Sequence, residues 1–114
     1  MNTTKEEITY IQFLEIEHKL DIRVGVVYDA KRIPKSDKLL ELQVSFGDNH
    51  TRTVVTNLGS KFEPEKFIGV TFPFVMNLVH SKMMGVTSEA MILVGETPNG
   101  EIELSNYTTG SKLI

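Results

Sequence analysis

Cysteine is absent from the chain, and so is tryptophan. Without a thiol there is no disulfide staple, no cysteine-based zinc site and no thiol nucleophile, so the fold must be held by packing alone. Long apolar runs are also missing. No stretch approaches the roughly 18 consecutive apolar residues that a membrane helix needs. The first residues, Met1-Asn2-Thr3-Thr4-Lys5-Glu6-Glu7, lack the basic and then apolar layout of a secretory signal, so the expectation is a cytoplasmic protein with no membrane partner. Excess positive charge is lacking too, because the formal net charge is -3 and the pI is near 5.6. That is not the footprint of a general polyanion binder, and any basic surface must be local.

Catalytic signatures are equally scarce. His18, His50 and His80 show neither metal-ligand spacing nor an obvious serine or carboxylate partner, and there is no glycine-rich phosphate loop or Gly-x-Ser-x-Gly turn. The chain is read as a non-enzyme, with no catalytic residues, no metal and no cofactor.

What is present suits a single domain. The 114 residues are 40% hydrophobic, enough for one core. Between Asp21 and Gly95 the balance of charge tips slightly positive, while much of the acidic excess lies toward the two ends. Thr9-Tyr10-Ile11-Gln12 has the spacing of a capping box, which predicts a helix from Tyr10 to Glu17. Its apolar residues, Tyr10, Ile11, Phe13, Leu14 and Ile16, cover too broad a face for a solvated helix, so it must lie against the barrel or a partner.

From Leu20 the apolar period becomes two, as a strand requires, with Gly25 marking a sharp coil or a close approach. Leu40, Leu42, Val44 and Phe46 make a second alternating run. Gly47-Asp48-Asn49 turns the chain into a third strand over residues 51–56. Pro64 is suited to the first position of a helical turn. Residues 70–78 form a fourth strand, in which Pro73 implies an edge or a bulge, and residues 89–94 a fifth. Residues 79–88 read as irregular. The expected fold is all-β: a five-stranded antiparallel Greek-key barrel of the OB type, with a short N-terminal helix and a helical turn between strands 3 and 4.

Three motifs add to this pattern. Asp21-Ile22-Arg23-Val24-Gly25, Ser36-Asp37-Lys38-Leu39-Leu40, and Asn77-Leu78 followed by Lys82-Met83, Gly85 and Ser88-Glu89 occur in this order. In them the chain resembles the tRNA-binding domains that occur alone in small bacterial proteins and appended to some methionyl-tRNA synthetases. The resemblance implies an OB barrel, a homodimer, and recognition of the tRNA elbow by form, with assistance to an aminoacyl-tRNA synthetase as one role. Another branch of the family, the CsaA-type chaperones, implies binding of unfolded or export-bound polypeptides instead. Residues 1–19 are then an extension and helix at the dimer interface, and residues 20–114 the tRNA-binding domain.

Recognition of tRNA by such a barrel needs cations at phosphate spacing and side chains that reach exposed nucleotides. Lys82, in the motif loop after the fourth strand, is the first candidate. Asn77 either binds RNA or ties the turn; Met83 either meets a base or peptide or packs in the core. Ser88 and Glu89 either touch the ligand or organise the loop. Lys31, Arg32, Lys35 and Lys38 form the densest cationic run and are supporting phosphate contacts or solvated charges, with Arg52 and Lys61 as outlying contacts. Met84 stands where family members commonly carry arginine, and Ser81 where the residue is often basic, so this loop is less cationic than the family pattern. Phe13, Leu14, Leu113 and Ile114 are the candidates for the dimer interface.

Overall fold

The computed structural model describes residues 5–114. The chain divides into two compact units. One is Ile22–Leu93; the other combines the described residues up to Asp21 with Val94–Ile114. The C-terminal strands thus group with the N-terminal helix rather than with Ile22–Leu93.

In Ile22–Leu93, strands β1 (Ile22–Arg32), β2 (Leu40–Ser45), β3 (Thr51–Thr56) and β4 (Thr71–Val75) are followed by a hairpin, β5 (Ser81–Met83) and β6 (Val86–Ser88), and by β7 (Met91–Ile92). The main sheet is antiparallel in the order β3-β2-β1-β4-β7. β1 is long enough to serve two neighbours, pairing with β4 over residues 22–26 and with β2 over residues 26–32. A bulge at Tyr28, between Val27 and Asp29, supplies the bend between those two duties. Gly25 is the other device. A Cβ there would lie 2.7 Å from the side chains of Phe46 and Val44, so the wall closes over a position that has no side chain.

Alternation sets the inside of the barrel. Leu40, Leu42 and Val44 are fully buried, with Glu41, Gln43 and Ser45 between them. Phe67, Phe72 and Phe74 complete the core, Phe72 meeting Phe74 edge to face at 6.4 Å. Complete burial of each such ring contributes about 1.5–3 kcal/mol relative to exposure. The turn after β2 has positive φ at Gly47, Asp48 and Asn49, and Phe46 N–H donates to the His50 carbonyl at 2.8 Å. Short 3-10 turns at Leu58–Ser60 and Pro64–Lys66 then link β3 to β4, with Pro64 in the first turn of its element.

Three sequence expectations change in detail. β4 ends at Val75, where Val75 and Met76 are both buried and the period-two pattern breaks. Pro73 is not on an edge strand, since β4 lies between β1 and β7. Its carbonyl accepts from Leu93 N–H, so its missing donor faces the side where the two-residue β7 ladder has already ended. Residues 79–88, expected to be irregular, contain the β5–β6 hairpin.

In the other unit, helix α1 (Tyr10–Glu17) begins with the expected capping box. Gln12 N–H donates to Thr9 Oγ1 at 3.1 Å, and Thr9 N–H donates to Gln12 Oε1 at 2.9 Å. Strands β8 (Gly95–Glu96), β9 (Ile102–Glu103) and β10 (Lys112–Leu113) form a small sheet in the order β10-β8-β9. The Tyr107 ring covers Gly95, leaving no room for a Cβ.

Candidate functional site

Strand register decides which loops are neighbours. Arg32 pairs with Leu40, and Leu40 pairs with Thr56, so the 33–39 loop and the exit of β3 lie at one end of the sheet. Gly59 N–H donates to the Lys38 carbonyl at 2.8 Å, and Arg32 Nη1 bridges the carbonyls of Asp37 (2.8 Å) and Gly59 (2.9 Å). Arg32 Nη2 also reaches Glu63 at 3.4 Å. A Cβ on Gly59 would lie 2.8 Å from the Lys38 carbonyl oxygen, so the close approach needs glycine. Within the loop, Ser36 Oγ accepts from Leu39 N–H at 3.1 Å. These ties place exposed Lys35 and Lys38 on one loop and exposed Lys61 on the loop joined to it.

Among the predicted cations, Arg32 is thereby committed to holding two loops together. Lys31 sits opposite Glu41 across the strands, at 4.0 Å, which offsets part of its charge. Lys35 and Lys38 project from the loop itself. Lys61 was expected only as an outlying residue; the Gly59 bridge, between segments 21 residues apart in sequence, joins its loop to that of Lys38.

The last motif has a structural task. Ser88 is buried; its Oγ accepts from Val55 N–H at 2.9 Å and donates to the Ala90 carbonyl at 3.0 Å. Glu89 N–H donates to the Thr53 carbonyl at 2.8 Å, and Glu89 Oε1 accepts from Thr53 N–H at 2.9 Å. Ser88 and Glu89 thus stand in for a strand ladder and join the last part of the barrel to β3. Arg52 adds a clamp, its Nη1 donating to the carbonyls of Met76 (2.8 Å) and Glu89 (2.7 Å). The clamp by Arg52 was not legible in strand alternation, because its partners are backbone carbonyls 24 and 37 residues away.

Because Ser88 lies opposite Val55 and Glu89 opposite Thr53, the chain here runs antiparallel to β3. The β5–β6 hairpin therefore extends toward the C-terminal end of β3, the end that leads into the Lys61 turn. Within the hairpin, Lys82 pairs with Thr87 on the exposed face, while Met83 and Val86 share the other, half-buried face. Met83 lines a cavity of about 190 Å³ together with Val55, Leu78, Val79, Ala90 and Met91, with Ser81 and Ser88 also on its wall. Asn77 is exposed at the start of this connection.

The dimer candidates lie in the other unit. Helix α1 buries none of its residues, and Tyr10 and Ile11 are 73% and 70% exposed. Phe13, Leu113 and Ile114 are exposed as well, and Leu14 is half-buried. Among the described residues no group of three or more His, Cys, Asp or Glu side chains is arranged to hold a metal ion, and no helix is long and apolar enough to cross a membrane.

Comparison with known proteins gives a consistent result. Residues 22–112 match the family described as a tRNA binding domain. Methionine--tRNA ligase of Methanocaldococcus jannaschii is 41% identical over 113 residues, an alignment that takes in 96% of this chain and 17% of that protein. The chain spans only 12% to 17% of the length of such curated relatives. A MetRS related protein from Pyrococcus horikoshii superimposes with a TM-score of 0.75 at 31% identity, over 96% of this chain and 99% of that one. The chaperone CsaA from Bacillus anthracis shares the fold, with a TM-score of 0.67 at 24% identity over 96% and 99% of the two chains.

Proposed function

Since the chain belongs to the tRNA binding domain family, we propose that it is a non-catalytic protein that binds tRNA by the form of its elbow, at the barrel end where Lys35, Lys38, Lys61 and Lys82 gather. One observation supports this reading: in a chain of net charge -3, Lys35, Lys38, Lys61 and Lys82 are all exposed, and the Gly59–Lys38 hydrogen bond joins the loops that carry the first three. Phosphates attract such a cluster whatever the overall charge, because the interaction is screened within about 10 Å at 0.1 M salt. Arg32 and Ser88 support the site by holding its loops. Asn77 and Met83 flank it, and Lys31 contributes a partly neutralised charge.

Elbow recognition goes with a homodimer in this reading. Among the described residues, Tyr10, Ile11, Phe13 and Ile16 of α1 are exposed, and the hydrophobic effect favours burying them against a second copy. Phe13, Leu14, Leu113 and Ile114 form that isologous interface, and two symmetric cationic ends act as one bivalent surface. Delivery of tRNA to an aminoacyl-tRNA synthetase is the role such a protein serves.

The deciding experiment is binding of bulk tRNA and of an RNA duplex of equal charge across a salt series, with wild type and Lys82→Ala in parallel. The expected result is preference for tRNA, binding that falls as salt rises, and a log–log salt slope shallower by about 0.7–0.9 in the variant. No binding of either RNA at low salt refutes the reading. In that event the cavity lined by Leu78, Val79, Met83 and Met91 favours the second reading, capture of apolar side chains of unfolded polypeptides.

A further inference from the structure

The β5–β6 hairpin turns on two residues, Met84 with φ 51° and Gly85 with φ 85°. Positive φ at both central residues is the mark of a type I′ turn, whose twist matches that of the strands and whose first position favours Asn, Asp or Gly. Methionine is out of place there. Its Cβ crowds the backbone in the left-handed region, a strain that persists only where something else maintains it.

Packing does not maintain it. Met84 is 56% exposed and takes no part in lining the adjoining cavity. Alternation directs Met83 and Val86 to the half-buried face of the hairpin and Lys82 and Thr87 to the outer face, leaving Met84 at the tip. The chain therefore holds a flexible apolar side chain in solvent, at a strained position, two residues beyond the exposed Lys82.

We infer that Met84 is a ligand-contacting residue, whose thioether packs on the base or ribose of an unstacked nucleoside while Lys82 meets a neighbouring phosphate; this rests on the RNA reading above. A thioether donates no hydrogen bond, so an apolar or aromatic surface is what it can recognise, and sulfur–aromatic contact is favourable. Paired bases offer no accessible face, whereas loop nucleotides do. Met84 thus favours folded RNA with exposed bases over duplex, and Lys82 supplies the salt-dependent part of the affinity.

The test uses Met84→Asn, which gives the turn its preferred pair, with Met84→Leu beside it, in thermal unfolding and in tRNA binding across a salt series. Met84→Asn is expected to raise Tm by on the order of 4 °C through relief of strain, and to weaken tRNA binding by roughly 3- to 10-fold with an unchanged salt slope. Met84→Leu is expected to keep both the affinity and the Tm of the wild type. The inference is overturned if Met84→Asn binds tRNA as tightly as wild type, or if its Tm does not rise. Failure of the wild type itself to bind tRNA refutes the RNA reading instead, and this inference with it.

Discussion

Removal of the Arg52 guanidinium should open the barrel at its seam. Its Nη1 holds the carbonyls of Met76 and Glu89 at 2.8 and 2.7 Å, and no strand ladder joins those segments to β3. Hydrogen bonds to charged groups contribute about 1.5–3 kcal/mol each, and the two share one nitrogen at a half-buried position. Arg52→Ala is therefore expected to lose about 3 kcal/mol, a fall in Tm of roughly 12–18 °C for a domain of this size. Urea and thermal unfolding measure the loss, and hydrogen exchange locates it. Amides of Thr53, Val55 and Glu89 at the seam should exchange about 100-fold faster, while those in the β1–β2 ladder change less. Arg52→Met separates the donors from the apolar stem and should lose nearly as much as alanine. A loss below about 0.5 kcal/mol, or near wild-type stability in Arg52→Met, refutes the clamp.

Three further outcomes follow from other parts of the structure. Gly25→Ala places a Cβ 2.7 Å from Phe46 and Val44 and should cost about 1–3 kcal/mol, seen as a lower urea midpoint with unchanged slope. Glu103 has its pKa held below the ordinary 4.5, first by the Thr108 hydroxyl, then by the Thr108 backbone N–H, with burial opposing and the Ser111 hydroxyl adding to the lowering. A lowered folded-state pKa means that its contribution is present above the ordinary glutamate range and lost as pH falls through the folded value. An NMR titration should show the Glu103 carboxylate and the Thr108 amide moving together below 4.5; a midpoint at 4.5 contradicts the bonding. Phe13→Asp puts a charge on the apolar helix and should yield a monomer in sedimentation while leaving the circular dichroism of the barrel intact. A wild-type chain that is already monomeric at micromolar concentration refutes the proposed interface.

Local signals were legible because their partners are close in sequence. The capping box at Thr9 and Gln12 spans three residues, and the β2–β3 hairpin follows from alternation on both sides of Gly47-Asp48-Asn49. The motif around Ser88 and Glu89 was visible, but its task was not. A serine that satisfies Val55 N–H and one that meets a ligand look alike until the strand beside it is known.

By itself the sequence determined the all-β class, the helix over residues 10–17, the buried face of β2 and the lack of cysteine chemistry, since each depends on residue type and on periods of two to four residues. Tertiary structure decided the rest. Only the fold shows Arg52 and the Ser88-Glu89 pair sealing the barrel, and only register and the Gly59–Lys38 hydrogen bond join the Lys61 loop to the Lys38 loop. Met84 at positive φ belongs with these. Its strain arises from the hairpin twist around it, and no pattern of residue types along the chain records a backbone angle.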